Sequence, residues 1–315
     1  ATLQIIPATS WSTTKIVGEL MRLELPGYWK AADSISQRNQ CLTLWAARIR
    51  NGGLILAAAA AVWASQTASS IPRWLAVVGF TTALIAEVFD YELNPTQKWY
   101  QGRALAESCK TLAWRFAVGG SPFPAQMTSK DAEILLTERI SEANSEAWSE
   151  VAGPIAGATV TEQMRDLRTK KFEERKAAYL EGRIENQQTW YAEKANGCKR
   201  KSRRWKAVLI VGEIAALVWS IACAANPGLW NATGLLTTSI GCGSAWVSLK
   251  QFENLKTAYS AASHELTLID SKLRVADENE WAMAVDDAEE AISREHTLWL
   301  ASRSDSDSIK KMIKR

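Results

Sequence analysis

The sequence has little of what most enzyme and metal sites are built from. Only two of its 315 residues are histidines, His264 and His296, which leaves almost no candidates for histidine-based catalysis or for clusters of metal ligands. The five cysteines form no C-x-x-C and no close pair, which excludes a disulfide framework and a zinc site of the usual spacing. Phosphate-loop, dinucleotide-binding, zinc-protease and nucleophile-elbow motifs are also absent. We therefore predict a protein that is not an enzyme and that needs no cofactor and no metal.

An excess of charge of one sign is lacking too. The 37 basic and 34 acidic side chains leave a net charge of +3, which is too balanced for a nucleic-acid-binding protein, and we expect no nucleic-acid partner. Tryptophan, in contrast, is abundant, with 15 copies. Tryptophan collects where one end of its ring is dry and the other wet, as at membrane interfaces. Dispersed cysteines fit a reducing compartment, so the parts outside a membrane are expected to face a cytoplasm.

The apolar residues are segregated into four runs, at about 52–70, 72–90, 207–225 and 229–249. As helices, runs of about 16 to 21 residues reach roughly 24 to 31 Å, against a hydrocarbon core of about 30 Å. A turn joins the two runs of each pair, so we predict an all-α membrane protein with two transmembrane helical hairpins and long cytoplasmic helices. The alternative, two buried hairpins in a large soluble bundle, requires a polar stripe, and the third run offers only Glu213 and Ser220.

Basic residues flank these runs on one side. Six of them crowd just ahead of the third run: Lys199, Arg200, Lys201, Arg203, Arg204 and Lys206. The turns inside the hairpins hold only Arg73 between them. By the positive-inside rule, the chain is predicted to be a multi-pass membrane protein whose termini and central section are cytoplasmic. We expect the six cations to contact anionic lipid headgroups; nucleic acid is the alternative, less favoured beside a membrane boundary.

The remaining sequence is predicted to be helical, and the layout of cytoplasmic helix and spanning hairpin occurs twice. We divide the chain into an N-terminal segment, a first unit, a helical connector, a second unit and a mobile basic tail, at 1–24, 25–125, 126–159, 160–300 and 301–315. Thr161 is expected to cap a long helix that Asn196-Gly197 interrupts. A last amphipathic helix carries an acidic run, expected to be a solvated face: Asp286, Asp287, Glu289 and Glu290.

One acidic residue lies inside the apolar stretch 74–89 and another inside the third run. An ionisable group within a span is costly and normally faces a partner or water. Glu87 and Glu213 are therefore candidates for a pore-lining or gating role, with Asn231 and Thr238 as further candidates. Glu87 has an alternative, because it lies near the cytoplasmic end of its helix and can reach the interface. For Asn231 and Thr238, the alternative is helix packing through hydrogen bonds.

Two further surfaces are candidates for helix or partner contacts. Gly241, Gly243 and Ser244 make one face of the fourth run small, which favours close helix packing within or between chains. The helix after the second run carries residues whose spacing allows either intrahelical pairs or a docking surface for a subunit or activator. These residues are Arg103, Glu107, Lys110, Trp114 and Arg115.

The segment from Lys98 to Phe116 resembles a known signature. Its Arg103-Ala104-Leu105-Ala106-Glu107-Ser108-Cys109-Lys110 and Trp114-Arg115 are similar to the R-A-x-A-E-S-x-K-x-x-x-W-R pattern after the membrane hairpin of SLATT proteins. These are the SMODS- and SLOG-associating two-transmembrane effectors of bacteria. Downstream, Tyr179-Leu180-x-x-Arg183-Ile184 and Trp190-Tyr191 look like the start of a second such unit. The resemblance covers about 25–125 and 160–300, and it weakens at 258–268, which lacks a Trp-Arg pair.

The resemblance implies a bacterial inner-membrane effector of an anti-phage or conflict system. Such proteins are thought to oligomerise and to open or perturb the membrane when activated by a nucleotide-messenger synthetase or a TIR- or SLOG-type sensor. Two other interpretations stay open: a non-conducting scaffold that recruits a soluble enzyme to the inner leaflet, and a transporter with a midplane site.

Overall fold

The computed structural model describes residues 23–144 and 157–301, and every regular element within them is a helix. The predicted N-terminal segment up to residue 22 and the basic tail from residue 302 lie outside the described residues, as does 145–156 of the connector. A π-helical turn, Leu180–Glu185, separates α6 from α7. The helices are α1 Gly27–Ala64, α2 Ile71–Leu93, α3 Pro95–Val118, α4 Ser129–Asn144, α5 Glu162–Thr169, α6 Phe172–Tyr179, α7 Asn186–Ala225, α8 Thr233–Lys250, α9 Phe252–Val275 and α10 Trp281–Ala301.

The first hairpin is formed by the second half of α1 and by α2. The first apolar run was expected to remain helical to residue 70, but α1 ends at Ala64 and a turn follows. Pro72 lies at the start of α2, where its missing N–H costs no helical hydrogen bond. The two helices cross at Gly53 and Gly79, where a Cβ on Gly79 would come within 2.7 Å of the Gly53 carbonyl oxygen. The hairpin therefore depends on direct contact between two backbones.

The second hairpin is formed by α7 and α8. α7 is a single helix of 40 residues, so the expected interruption at Asn196-Gly197 is wrong. A glycine inside a helix lowers helix stability by about 1 kcal/mol relative to alanine. The backbone hydrogen bonds of the long helix on both sides of Gly197 outweigh this cost. α8 ends at Lys250; the next residue, Gln251, is in the left-handed conformation with φ 47°, and α9 begins directly after it. Since α8 packs against both α7 and α1, the order of the hairpin helices is α2, α1, α8, α7.

The remaining helices pack around α3. On one side α3 meets the first half of α1, where a Cβ on Gly102 would lie 2.9 Å from the Ser36 nitrogen. Elsewhere α3 contacts α4, α5, α6 and α10. Thr161 caps α5 as predicted, since its hydroxyl accepts a hydrogen bond of 3.3 Å from the Met164 amide. The predicted long helix, however, breaks at Lys170, whose extended backbone separates α5 from α6.

Candidate membrane surface and buried ionic cluster

The outward faces of α2 and α7 are covered by large apolar side chains that no other part of the described chain contacts closely. We call this set the apolar belt: Trp74, Val77, Phe80, Leu84, Ile85 and Val88 on α2, and Val208, Ile210, Val211, Ile214, Leu217, Val218 and Ile221 on α7. All of these side chains are at least half exposed, up to 69% for Trp74. So many exposed apolar groups on one surface are typical of contact with lipid or with another protein.

Two helices of the described chain are long and apolar enough to cross a membrane, α2 and the continuous helix 172–225 that contains α7. The other two predicted spans, in α1 and α8, are not among the described helices that are long and apolar enough. α1 contributes only 52–64 after its last polar residue, and α8 is interrupted by glycine, serine and threonine. Four spanning helices therefore stay a prediction.

Glu87 lies at the end of α2 that is next to α3, where it forms an ion pair across the first hairpin. Its Oε2 is 2.8 Å from Nη1 of Arg50 on α1, and both side chains are more than one-third exposed. Glu213, by contrast, is exposed on α7, and no described residue forms a hydrogen bond or ion pair with it. Of the two acidic residues in the apolar runs, one is thus neutralised by its own chain and the other is not.

The polar candidates of α8 occupy different positions. Asn231 accepts a hydrogen bond of 3.0 Å from the Thr233 amide and so orders the start of α8. Thr238 is half-buried within the helix. Gly243 faces α7, because a Cβ there would lie 3.1 Å from the Leu209 side chain. Gly241 and Ser244 are exposed, and a Cβ on Gly241 would meet nothing within 4 Å.

Sequence reasoning missed the closest helix contact, which lies in the first hairpin. Gly53 and Ala57 on α1 oppose Gly79 and Ala83 on α2. Each pair has the G-x-x-x-A spacing that lets helix backbones approach within a membrane. The signal was therefore present in the sequence as two matching small-residue patterns, one on each arm.

The predicted surface on α3 is largely buried. Arg103 pairs with Glu107 at 3.0 Å, as its spacing allows. Trp114 is only 4% exposed and packs edge-on against Tyr179, with ring centroids 5.9 Å apart. Arg115 pairs with Asp286 of α10 at 2.7 Å. Trp114 and Arg115 thus hold α3 to the end of α6 and to α10, whereas the Arg103–Glu107 pair lies within α3.

A fully buried ion pair lies at the centre of this interface. We call it and its two hydroxyl partners the ionic cluster: Thr111, Tyr179, Arg183 and Glu289. Arg183, in the π-turn, donates to both oxygens of Glu289 at 2.8 and 2.7 Å. The Tyr179 hydroxyl donates to Oε1 at 3.0 Å and the Thr111 hydroxyl to Oε2 at 2.8 Å. The Glu289 carboxylate is therefore saturated, as a buried carboxylate must be.

The burial of Glu289 corrects the prediction that the acidic run is a solvated face. Glu289 has no exposed surface, whereas Asp287 and Glu290 of the same run are exposed. The helix period carried a signal, because Glu289 follows Val285 by four residues on the face that also buries Trp281. In the sequence, its partner Arg183 is distinguished only as part of the Tyr179-Leu180-x-x-Arg183-Ile184 pattern.

Burial and charge shift the pKa values around the ionic cluster. Burial alone would lower the pKa of Arg183, but the charge and hydrogen bonds of Glu289 outweigh burial and raise it. Burial and the Glu289 charge raise the pKa of Tyr179 well above its ordinary value, so the hydroxyl stays a donor. Lys110 lies nearby on α3, and burial, helped by repulsion from Arg183, lowers its pKa to about 8. Burial also raises the pKa of the Cys109 thiol to about 12, which leaves it unreactive.

The carboxyl end of α3 is capped by side chains from later helices. Arg168 donates to four carbonyl oxygens, those of Phe116, Phe123, Pro124 and Met127, at 2.9 to 3.2 Å. Arg175 and the Trp281 indole each donate to the Val118 oxygen at 2.9 Å. Cations and donors there complement the free carbonyls and the dipole of α3.

The six predicted lipid-binding cations are all exposed on α7, just before the apolar belt begins. Lys199, Arg200, Arg203 and Arg204 line a shallow open groove with Asn196. Lys206 pairs at 3.2 Å with Glu253, at the start of α9. Hydrogen bonds from Lys256, Ser202 and Lys206 lower the pKa of Glu253 to about 2. Among the described residues, no group of three or more His, Cys, Asp or Glu side chains is placed to hold a metal ion.

Fold and surface together define an all-helical protein with two helices suited to a membrane. Residues 26–176 match the SMODS and SLOG-associating 2TM effector domain 3, and residues 179–299 match domain 1 of the same description. The chain therefore belongs to the SLATT family and carries two SLATT domains in tandem, as the resemblance predicted. Neither a curated protein nor a solved structure matches the chain.

The division between the two domains falls at the end of α6, inside the interface described above. Thr111 and Lys110 thus belong to the first domain, and Tyr179, Arg183 and Glu289 belong to the second. The Arg183–Glu289 ion pair therefore lies within the second domain, and hydrogen bonds to Thr111 join it to the first domain.

Proposed function

We propose that the chain is a bacterial inner-membrane effector of an anti-phage conflict system, which oligomerises and makes the membrane permeable when it is activated. SLATT domains are two-transmembrane effector domains of such systems. The observation that carries the proposal is the apolar belt on α2 and α7, adjoined by the band of exposed cations on α7. Apolar side chains fit the hydrocarbon core and the cations fit anionic headgroups at its cytoplasmic face.

In this proposal the chain crosses the membrane four times with both termini cytoplasmic. α1 and α8 cross between α2 and α7, shielded from lipid on two sides, which relaxes the need for large apolar side chains on them. Two hairpins enclose little room, so the conducting path requires several copies. The activating signal is a nucleotide messenger or a sensor protein acting on the cytoplasmic helices.

The test is inducible expression of the full chain, alone and together with its neighbouring genes, in cells that carry a membrane-potential dye. We expect depolarisation and arrested growth under the activating condition. A chain with Leu217→Lys and Ile221→Lys in the belt, two changes from apolar to charged, is the matched control and should lose membrane insertion. An intact potential under every activating condition would contradict the proposal.

The second candidate is a non-conducting scaffold that recruits a soluble protein to the inner leaflet. It is favoured by a shallow groove between α9 and α10, beside which Leu268 and Met283 are about two-thirds exposed. The scaffold predicts a co-purifying partner that is lost with Leu268→Glu and Met283→Glu, together with no ion flux in liposomes.

A further inference from the structure

The exposed face of α8 differs in chemistry from the apolar belt. Besides Ala245, its exposed residues recur at helical spacing and are small or carry hydroxyls: Gly234, Thr237, Gly241, Ser244 and Ser248. We call them the polar stripe. A Cβ on Gly234 or Gly241 would meet nothing within 4 Å, so backbone is uncovered there. The hydroxyls of Ser244 and Ser248 make this face more hydrophilic than the apolar belt, whereas the Thr237 hydroxyl donates to the Thr233 carbonyl oxygen of its own helix.

Glu213 lies at the depth of the polar stripe. Gly212 contacts Ile240, and Gly243 contacts Leu209, which fixes the antiparallel register of α7 and α8. In this register Glu213 is level with Ser239, between Thr237 and Gly241 of the stripe. Glu213 follows Lys206 by seven residues, which places it about 10 Å further along the helix axis.

The side of α7 on which Glu213 lies also follows from helix geometry. One residue beyond Gly212, it is turned about 100° from the contact with α8. α8 meets α7 through Gly243 and α1 through Cys242, so its stripe is on the remaining side. With both helices right-handed and antiparallel, the Glu213 side of α7 and the stripe adjoin on the same side of the hairpin.

Glu213 is an unpaired carboxylate beside a hydrophilic helix face, within a segment that is otherwise apolar. A carboxylate at this depth is costly in lipid and stable in water. Rings of Asp or Glu side chains select cations in channels, because they attract cations and repel anions. We propose that Glu213 and the polar stripe line the conducting path, and that the path passes monovalent cations in preference to anions.

One chain supplies only one wall of such a path. The inference therefore rests on the proposed oligomeric pore, in which several copies turn this side of the second hairpin toward a shared axis. α2 and the side of α7 that is turned away from α8 then keep most of the apolar belt toward lipid, and Leu217, four residues after Glu213, lies at the border between the two surfaces.

The first test is electrical. The purified full-length chain is placed in liposomes under a tenfold KCl gradient, and the reversal potential gives the potassium-to-chloride permeability ratio. We expect a ratio of about five or more, falling toward one in Glu213→Gln and below one in Glu213→Lys. Glu193→Gln, the same change on the cytoplasmic part of α7, is the matched control and should leave the ratio unchanged.

The second test reads water access directly. Gly241→Cys on the stripe and Val211→Cys on the belt are level in the register, and both positions are exposed. A membrane-impermeant thiol reagent, with labelling read by mass spectrometry of the peptide, should modify the Gly241→Cys chain about tenfold faster.

The outcomes separate this inference from the proposed function. Conduction with an unchanged permeability ratio in Glu213→Gln, or equal labelling of the two cysteines, overturns the cation path and leaves the pore intact. No current from any chain, wild type included, overturns the pore and the path together.

Discussion

The two hairpins of the chain are closed in different ways. In the first, Gly53 and Gly79 bring the backbones of α1 and α2 into contact, with no room for a Cβ on either. In the second, the glycines of α8 are spread over its surface, and only Gly243 faces α7. Gly53 and Gly79 of the first hairpin are buried between its helices, whereas Gly234 and Gly241 of the second are exposed. The two SLATT domains thus differ: the first has a hairpin with closely packed backbones, and the second has a hairpin with exposed glycines.

The helices packed around α3 show the opposite relation, because residues of both domains meet there. Arg168 and Arg175 of the first domain and Trp281 of the second together cap the end of α3. Glu289 of the second domain accepts a hydrogen bond from Thr111 of the first. The two hairpins thus differ in packing, whereas the remaining helices of the two domains pack together.

Breaking the ionic cluster should have the largest effect, because it leaves a charged group buried without its partner. Arg183→Met leaves the fully buried Glu289 without its cation, and removing one partner of a buried pair costs about 3–5 kcal/mol. The unfolding midpoint in detergent should fall accordingly. The double change Arg183→Met with Glu289→Leu should recover much of the loss, and a double variant no more stable than the single one would contradict this account.

The contrast between the hairpins predicts unequal effects of the same change at two glycines. Gly79→Ala forces a methyl group to within 2.7 Å of backbone atoms of α1, and overpacking of this kind costs about 1–3 kcal/mol. Gly241→Ala meets no atom within 4 Å and should leave the unfolding midpoint in detergent almost unchanged. An equal fall in the unfolding midpoint of both variants would contradict this difference in packing between the two hairpins.

Lys110 should make the contact between the domains pH-dependent. Its pKa is about 8 in the folded chain, against an ordinary value of 10.5. Between these values the unfolded chain binds more protons, so this group makes the folded state more stable as pH rises from 8 to 10.5. Lys110→Met should raise the unfolding midpoint by a few degrees at pH 7, and the gain should shrink by pH 10. A gain that is independent of pH would rule out titration of Lys110 as the cause.

The smallest effects are expected where the two hairpins are alike. Each has an exposed ion pair at the end opposite its turn, Arg50 with Glu87 and Lys206 with Glu253. Exposed pairs contribute about 0–1 kcal/mol, so Glu87→Gln and Glu253→Gln should each shift the unfolding midpoint by a few degrees at most. A much larger loss at either site would show that the pair does more than tie two helices together.

The sequence was sufficient for features that depend on neighbouring residues. Apolar runs, the Thr161 cap and the SLATT signature are each local, and they predicted an all-helical chain with tandem domains. The length of the first apolar helix was overestimated, because the uncharged small residues up to residue 70 do not reveal that α1 ends at Ala64.

The ionic cluster could not be predicted in the same way. Arg183 and Glu289 are 106 residues apart, and a charged residue on a helix is by default solvated. Nothing local indicates that α10 folds back onto α3. The exposure of Glu213 also depends on how α7 is rotated against α8, which the near-uniform apolar character of the run leaves undetermined.

α1 and α7 each run without a break from the helices packed around α3 to the far turn of a hairpin, over about 57 and 60 Å. Neither helix ends between these two points. If the chain forms the proposed pore, a rotation of α7 at the π-turn would therefore be transmitted along the whole helix and would turn Glu213 by the same angle. Opening of the proposed path would then follow from rotation of a complete helix, with no separate loop required to move.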